Sequence, residues 1–517
     1  VKLPSIVNEP ILGYEPGSKE RELLQAELKK QLGLDLKIPV VINGKNIFTN
    51  DVKNCVSPHN HSHVVAKYHC AGQPEVQMAI DAALEASKNW RNVPWEDRAA
   101  IFLKAADLIS TKYRYILNAA TMINQSKNVY QAEIDATCEM ADFFRFNVLY
   151  MQQIYSSQPA CNDKGMWNRI EYRPLEGFVF AVSPFNFTSI SANLCCAPAM
   201  MGNVVIWKPA STSMLSNYYI MELLKEAGLP DGVINMLPGD GKFIGDYVLS
   251  DKNFAGVHFT GSTKVFNYMY KLIGNNIEKY KNYPKIIGET GGKDFVFVHK
   301  SSDIKAVAVA LARGAFEYQG QKCSAASRAY IAKSLWSGVQ KELGLIIDDM
   351  IVNMGDPTEF KFFNAVIDES SFNNTLSYIE KAKNSNEAQV IFGGKANKSK
   401  GYFIEPTVIL TSNPHFVTME EEIFAPVLTI YVYEDDEYEK MLEVCDNTSN
   451  YALTGAIFAN DRKAISTALD KLGYSAGNFY INDKPTGAVV GQQPFGGSRS
   501  SGTNDKSGSQ LNLIRWT

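Results

Sequence analysis

From Gly177 onward the chain repeats one pattern: a short β-rich run closed by Gly, Pro or Asn, followed by a helical stretch. The runs cover 178–182, 204–207, 233–237, 257–259 and 285–287, and helical spacing covers 215–227, 242–249 and 263–274. Strands separated by helices are returned to the same edge of a sheet, so they pair in parallel and cannot form a meander. The pattern therefore demands an α/β fold with a doubly wound sheet. A dinucleotide would sit at the carboxyl ends of its strands. A second series starts at 295–298, continues through a helix over 303–318, and recurs at 329–331, 427–432 and 455–458. Two α/β lobes are expected, joined near 288–293.

Upstream, apolar residues recur at helical spacing over 19–31, 76–90, 97–111 and 130–151. Residues 166–174 alternate apolar and charged side chains as an excursion strand would, and the tail 511–517 does the same. With 45% hydrophobic residues in a chain of 517, ample material exists for buried cores, which excludes disordered and fibrous classes. A net charge of -4 without long runs of one sign gives no electrostatic reason for a nucleic-acid or anionic-membrane partner. Small molecules and further copies of the chain are the expected partners. No apolar stretch approaches the roughly 18 residues of a membrane span. The first residues, Val-Lys-Leu-Pro, hold neither an initiator Met nor an apolar signal core, as expected of a processed or trimmed chain.

Eight cysteines without a C-x-x-C pair fit a reducing compartment, where most thiols are small buried hydrophobes. Cys195 and Cys196, in an apolar run, fit that description. Cys323 differs, because Gly320-Gln-Lys-Cys-Ser-Ala-Ala326 gives it a Lys neighbour at what reads as a loop-to-helix junction. There a thiolate gains from positive charge and a helix N-terminus, as a nucleophile requires; a structural buried Cys is the alternative. In Gly288-Glu-Thr-Gly-Gly-Lys293, Glu289 stands at a strand end as either a general base or a capping carboxylate. The P-loop pattern is not matched. Asn186 in Ser183-Pro-Phe-Asn-Phe-Thr188, Lys208 in Trp207-Lys-Pro209 and the Thr260-Gly-Ser262 turn fall at the same sheet edge. An amide there can donate to an oxyanion, and a helix N-terminus can take a pyrophosphate. Either could also be an ordinary turn residue. His59, His61, His63, His69 and Cys70 suggest a metal cluster by number only; a solvated loop is the preferred reading, and no catalytic metal is expected.

In order along the chain, Pro184-Phe-Asn-Phe187, Trp207-Lys-Pro209, Phe259-Thr-Gly-Ser262, Gly288-Glu-Thr-Gly-Gly292, Gly320-Gln-Lys-Cys323, Glu422-Ile-Phe424 and Pro494-Phe-Gly-Gly497 resemble the aldehyde dehydrogenase superfamily, with Cys323 following Glu289 by 34 positions. The resemblance implies an aldehyde dehydrogenase fold: a Rossmann-type NAD-binding domain (1–162 and 177–290), an α/β catalytic domain (291–485) and a small oligomerisation flap (163–176 and 503–517). It implies Cys323 as nucleophile, Glu289 as base, Asn186 as oxyanion donor and Lys208 as an active-site and ribose contact. NAD would be held by Phe185, Lys208, Ser211, Gly261, Ser262, Thr263, Lys264, Val265, Glu422 and Phe424. Many relatives carry Glu where this chain has Ser211, to repel a 2′-phosphate, which leaves room for some NADP use. Many also carry Gly where this chain has Phe266, which puts the packing of the pyrophosphate helix in doubt.

Tyr172-Arg-Pro-Leu-Glu-Gly-Phe178, Ala476-Gly-Asn-Phe-Tyr-Ile-Asn-Asp483 and Thr486-Gly-Ala-Val-Val-Gly-Gln-Gln-Pro-Phe-Gly-Gly497 are similar to the Δ1-pyrroline-5-carboxylate dehydrogenases of proline catabolism. That likeness implies oxidation of L-glutamate γ-semialdehyde to glutamate, a homodimer or higher homo-oligomer, and a mitochondrial matrix location. It also implies a substrate site in which Ser324, Gly487 and Ala488 hold the carboxylate, Phe187 and Phe495 line the aliphatic segment, and Glu139 meets the ammonium. Core packing for the two Phe residues and a solvated helix position for Glu139 are the alternatives. Rival functions are oxidation of another small aldehyde, a cysteine acyltransferase or hydrolase without redox chemistry, and a catalytically silent protein on this fold.

Overall fold

The first series forms the doubly wound sheet in the computed structural model, which describes residues 3–517. Five parallel strands lie in the spatial order Lys285–Glu289, Phe254–Thr260, Phe178–Val182, Val205–Lys208 and Ile234–Met236. Val40–Ile42 and Lys45–Ile47 extend one edge antiparallel. Because the winding reverses beside Phe178–Val182, the carboxyl ends of that strand and of Phe254–Thr260 border the crevice where such sheets take ligands. Phe178, Val179, Phe180 and Ala181 are all buried, as a strand covered on both faces requires. The crossover helices begin on side-chain caps: Asp240 accepts from Phe243 N and Ser262 from Val265 N.

The change of sheet falls between Glu289 and Asp294. The second sheet runs Ala388–Phe392, Thr407–Thr411, Val427–Tyr433, Ala326–Ala332, Asp294–Val298, Thr454–Phe458, Asn478–Ile481, parallel except at the Ala388–Phe392 edge. Successive side chains of Asp294–Val298 feed opposite cores, with Phe295 and Phe297 in one and Val296 and Val298 in the other. Among the described residues no helix is long and apolar enough to cross a membrane.

Four expectations need correction. Residues 166–174 form no strand, because no neighbouring strand in the single chain offers a ladder; Trp167 stays 78% exposed. The tail is helical: Ser509 caps Gln510–Leu513, a 3-10 turn follows over Ile514–Trp516, and Trp516 is buried against His258 with its carbonyl bonded to Asn203 Nδ2 at 2.9 Å. The histidine segment is not a solvated loop but the strand Asn60–His69, paired with Val52–Ser57, with His59 buried before it. Among the described residues no group of three His, Cys, Asp or Glu could hold a metal. Finally, the helical stretch 130–151 contains a π segment, Glu133–Glu139. That wider turn carries three carboxylates that make buried or half-buried hydrogen bonds: Glu133, Asp135 and Glu139.

Candidate functional site

The carboxyl edge of the first sheet faces the amino edge of the second across a cleft of about 870 Å³. Asn186, Lys208, Gly261 and Ser262 line it from the first sheet, and Cys323, Glu422 and Phe424 from the second. Phe185 and Phe424 meet edge to face at 5.9 Å, joining the lobes, and Phe424 holds a left-handed backbone (φ 59°) to do so.

Cys323 does not open a helix. Tyr318, Gln319 and Gly320 take positive φ in succession, and Cys323 follows on a turn that enters the strand Ala326–Ala332. Its Lys neighbour gives no help, because Lys322 Nζ is paired with Glu317 Oε2 at 3.1 Å. Burial pushes the thiol well above its ordinary range, and the charges of Glu289, Asp294 and Glu422 push it further. The loop that carries Glu289 approaches closely: a Cβ at Gly292 would overlap the Cys323 carbonyl, and one at Gly291 would overlap the Glu422 carboxylate. At Gly292 the overlap is with backbone, so only glycine fits there, whereas at Gly291 a side chain would displace the Glu422 carboxylate.

Glu289 ends its strand with Oε1 buried and without a hydrogen-bond partner. Burial raises this carboxyl to about 8, against the pull of Lys506 and with the push of Asp505. Asn186 donates from Nδ2 to the Gln321 carbonyl at 3.0 Å, which ties the first lobe to the turn before Cys323. An amide nitrogen carries two hydrogens, so one stays available.

Lys208 makes no ion pair among the described residues, and burial lowers its ammonium to about 8 against the pull of Asp240. An unpaired cation at the end of Val205–Lys208 awaits acceptors such as ribose hydroxyls. The helix Thr263–Asn275 presents its N-terminus and Lys264 and Val265 to the cleft. Glu422 Oε1 accepts from Gly292 N at 2.9 Å, and burial raises its carboxyl to about 7. These donors and acceptors fit a dinucleotide. Thr263 stands behind the wall, donating to Ser500 O and accepting from Gly291 N. Ser211 is outside the lining and interacts with Tyr68. Phe266 resolves the doubt over its helix: its ring stacks on Phe259 at 5.4 Å in the space that Gly288 leaves open.

None of the six expected substrate contacts lines this cleft. They gather in two groups. Ser324 Oγ bonds Thr486 Oγ1 at 2.7 Å, beside Gly487 (φ 94°) and Ala488. Phe187 precedes the helix Thr188–Met200, whose Ser189 donates to Glu139 Oε2 at 3.1 Å; burial raises the Glu139 carboxyl to about 8. The groups are brought toward one another by Asn8, whose Nδ2 donates to both Asp142 and Val490 O at 2.8 Å, while Phe146 fills the space over Gly491. Phe495 is half-buried and bridged to Ser507.

Sequence reasoning missed the support beneath Phe187. Lys127 is fully buried, donates to Asp135 Oδ2 at 2.7 Å, and lies 4.0 Å from the Phe187 ring centroid and 4.7 Å from that of Tyr318. Asp135 also accepts from the amides of Thr188 and Ser189, both at 2.9 Å. In the sequence Lys127 stands in a short polar run before the helical stretch and Asp135 within it, with nothing local to join them.

A profile described as "Aldehyde dehydrogenase family" matches residues 48–515. The chain is 54% identical to a Dictyostelium discoideum protein named "Delta-1-pyrroline-5-carboxylate dehydrogenase, mitochondrial", over 99% of this chain and 92% of that one. It is 46% identical to the Homo sapiens protein of the same name, covering 99% and 91% respectively. The crystal structure of the Delta-pyrroline-5-carboxylate dehydrogenase from Mycobacterium tuberculosis bound with NAD matches with TM-score 0.96 and 48% identity, covering 100% of this chain and 95% of that chain.

Proposed function

The chain belongs to the aldehyde dehydrogenase family, and from that premise we propose that its cleft oxidises L-glutamate γ-semialdehyde to L-glutamate with NAD, as a step of proline catabolism. The observation that carries the residue assignment is that Cys323 from one sheet and Asn186 from the other line one cleft, with Glu289 ending its strand directly before the lining residues Thr290 and Gly291.

Cys323 is the nucleophile. Its Sγ, after giving its proton to solvent water, bonds to the aldehyde carbon, and the free hydrogen of the Asn186 amide, with the Cys323 backbone N–H, meets the oxyanion of the thiohemiacetal. NAD, when bound, supplies the acceptor for the hydride lost from that carbon. Lys208 and Glu422 would hold ribose hydroxyls of that group, and the helix beginning at Thr263 would take its pyrophosphate. A thioester then remains on Cys323. Glu289 takes a proton from water whose oxygen adds to the thioester carbonyl, and the C–S bond breaks to release the acid and the thiolate. Thiolate and carboxylate oppose each other's ionisation, so the two groups act in turn.

On the far side of Cys323, Ser324 with the backbone N–H groups of Gly487 and Ala488 takes the substrate carboxylate, Glu139 the ammonium, and Phe187 and Phe495 the carbon chain. Residues 1–162 and 177–290 serve as the NAD-binding domain and 291–485 as the catalytic domain. The exposed 163–176 segment serves subunit contacts in a homo-oligomer, together with 503–517. Relatives named mitochondrial support a matrix location.

Mixing the Glu289→Gln variant with NAD and glutamate semialdehyde tests the division of labour. The expected record is a rapid burst of NADH absorbance, a stalled steady rate and an accumulated thioester. Neither burst nor thioester would mean that Glu289 acts before hydride loss.

A further inference from the structure

Glu289 is reached from behind by the segment 498–508, which runs against the end of its strand. Thr503 N donates to Gly288 O at 2.9 Å, Thr290 N to Ser501 O at 3.0 Å, and Gly288 N to Thr503 Oγ1 at 3.0 Å. From Gly502 the backbone of this segment takes positive φ at alternate residues: Gly502 (133°), Asn504 (56°), Lys506 (53°) and Gly508 (70°). For Asn504 and Lys506 that conformation is strained, and it persists only where the surroundings over-determine it. The outcome here is the placement of one ammonium. Lys506 Nζ donates to Gly477 O at 2.9 Å and to Gly496 O at 3.1 Å, and it makes no ion pair among the described residues.

Two groups of opposite sign thus stand in one packed region, each short of a direct partner. Lys506 has only neutral carbonyls, and Glu289 Oε1 has nothing. Resting on the reading of Glu289 as the deacylation base, we propose that Lys506 is a positioning residue whose fixed cation favours the ionised form of Glu289 and so sets the pH at which the thioester is hydrolysed.

The charged and titratable groups that face Glu289 are Lys506 and Asp505 from this segment and the Cys323 thiol from the second lobe. Asp505 acts in the opposite direction to Lys506. It is itself held by Arg515 at 3.1 Å and by the Thr503 hydroxyl. Burial lowers the Lys506 ammonium, and Glu289 pulls it back up. A cation beside a buried carboxyl moves its ionisation by about 1 to 3 units at direct contact, and by less when half-exposed.

The test is the pH profile of steady turnover, in the full-length enzyme with NAD and glutamate semialdehyde, alongside the NADH burst. In the wild type the rate rises through a midpoint near the Glu289 value of about 8. Lys506→Met moves that midpoint up by roughly one unit, making turnover about 10-fold slower at pH 7 while the burst amplitude is kept. Asp505→Asn moves it down, and Lys506→Arg leaves it near the wild-type position. Opposite shifts from neighbouring residues are what a charge effect produces and a lost scaffold does not. Should Lys506→Met fail to fold, the downward shift in Asp505→Asn still decides. An unmoved midpoint in both variants, or movement in the same direction, overturns the proposal. Full steady turnover in Glu289→Gln overturns instead the reading of the base, so the two failures are distinguishable.

Discussion

The two sides of Cys323 are built by different means. On the cofactor side, each group comes from a short motif at a strand end: Asn186 after Phe178–Val182, Lys208 closing Val205–Lys208, Ser262 capping Thr263–Asn275. On the proposed substrate side, the groups come from Glu139, Phe187, Ser324, Gly487 and Phe495, far apart in the chain, with Glu139 held by Ser189, Ser324 by Thr486 and Phe495 by the Ser507 backbone. A motif on a strand end is placed by the sheet itself. A wall of scattered residues is placed only by its supports, so single substitutions beneath it carry farther.

The largest effect is expected where both sides meet. Cys323→Ala lowers kcat/KM by at least about 10³-fold while the Kd for NAD is kept, because the nucleophile is lost and the strand-end motifs are not. Retained turnover would show that the chemistry lies elsewhere.

Next comes a support of the substrate side. Lys127→Met leaves Asp135 buried with its cation gone, and breaking such a pair costs about 3 to 5 kcal/mol. The expected outcome is a clear fall in Tm and a raised KM for the aldehyde, with NAD affinity unmoved. Removal of the exposed Lys333–Glu434 pair, by contrast, leaves Tm nearly unchanged. Equal loss of NAD and aldehyde affinity in Lys127→Met would erase the distinction between the sides.

This same division governs what could be read from the chain. Alternating strands and helices mark both series as parallel α/β sheets, and the residues after each strand of the first are contiguous motifs, so the cofactor edge was legible, whereas the spatial order of the strands was not. Cys323 was legible as an unusual thiol but for a mistaken reason: the turn leads into a strand, and Lys322 is committed to Glu317. Periodicity could not tell the tail from a strand, since seven residues, 511–517, satisfy either pattern until Trp516 has a pocket to fill. Residues 166–174 alternate correctly, yet a strand needs a neighbour. The Lys127–Asp135 pair and the Lys506 placement were not legible at all, because they depend on which distant carbonyls, rings and amides arrive at one point.

In the proposed function the scattered wall selects an amino-acid head while the strand-end wall holds the cofactor, and this division can be measured. It is tested most directly by kcat/KM for glutamate semialdehyde and for the unsubstituted aldehyde of equal chain length, on the wild type and on Gly487→Pro. Gly487 holds φ 94° and offers one backbone donor, and proline removes both the conformation and the donor. The wild type is expected to prefer the semialdehyde strongly, a preference narrowed roughly 10-fold in the variant by the loss of one charge-assisted hydrogen bond. Equal efficiencies on the wild type would contradict it, leaving an aldehyde dehydrogenase without selection for the amino-acid head.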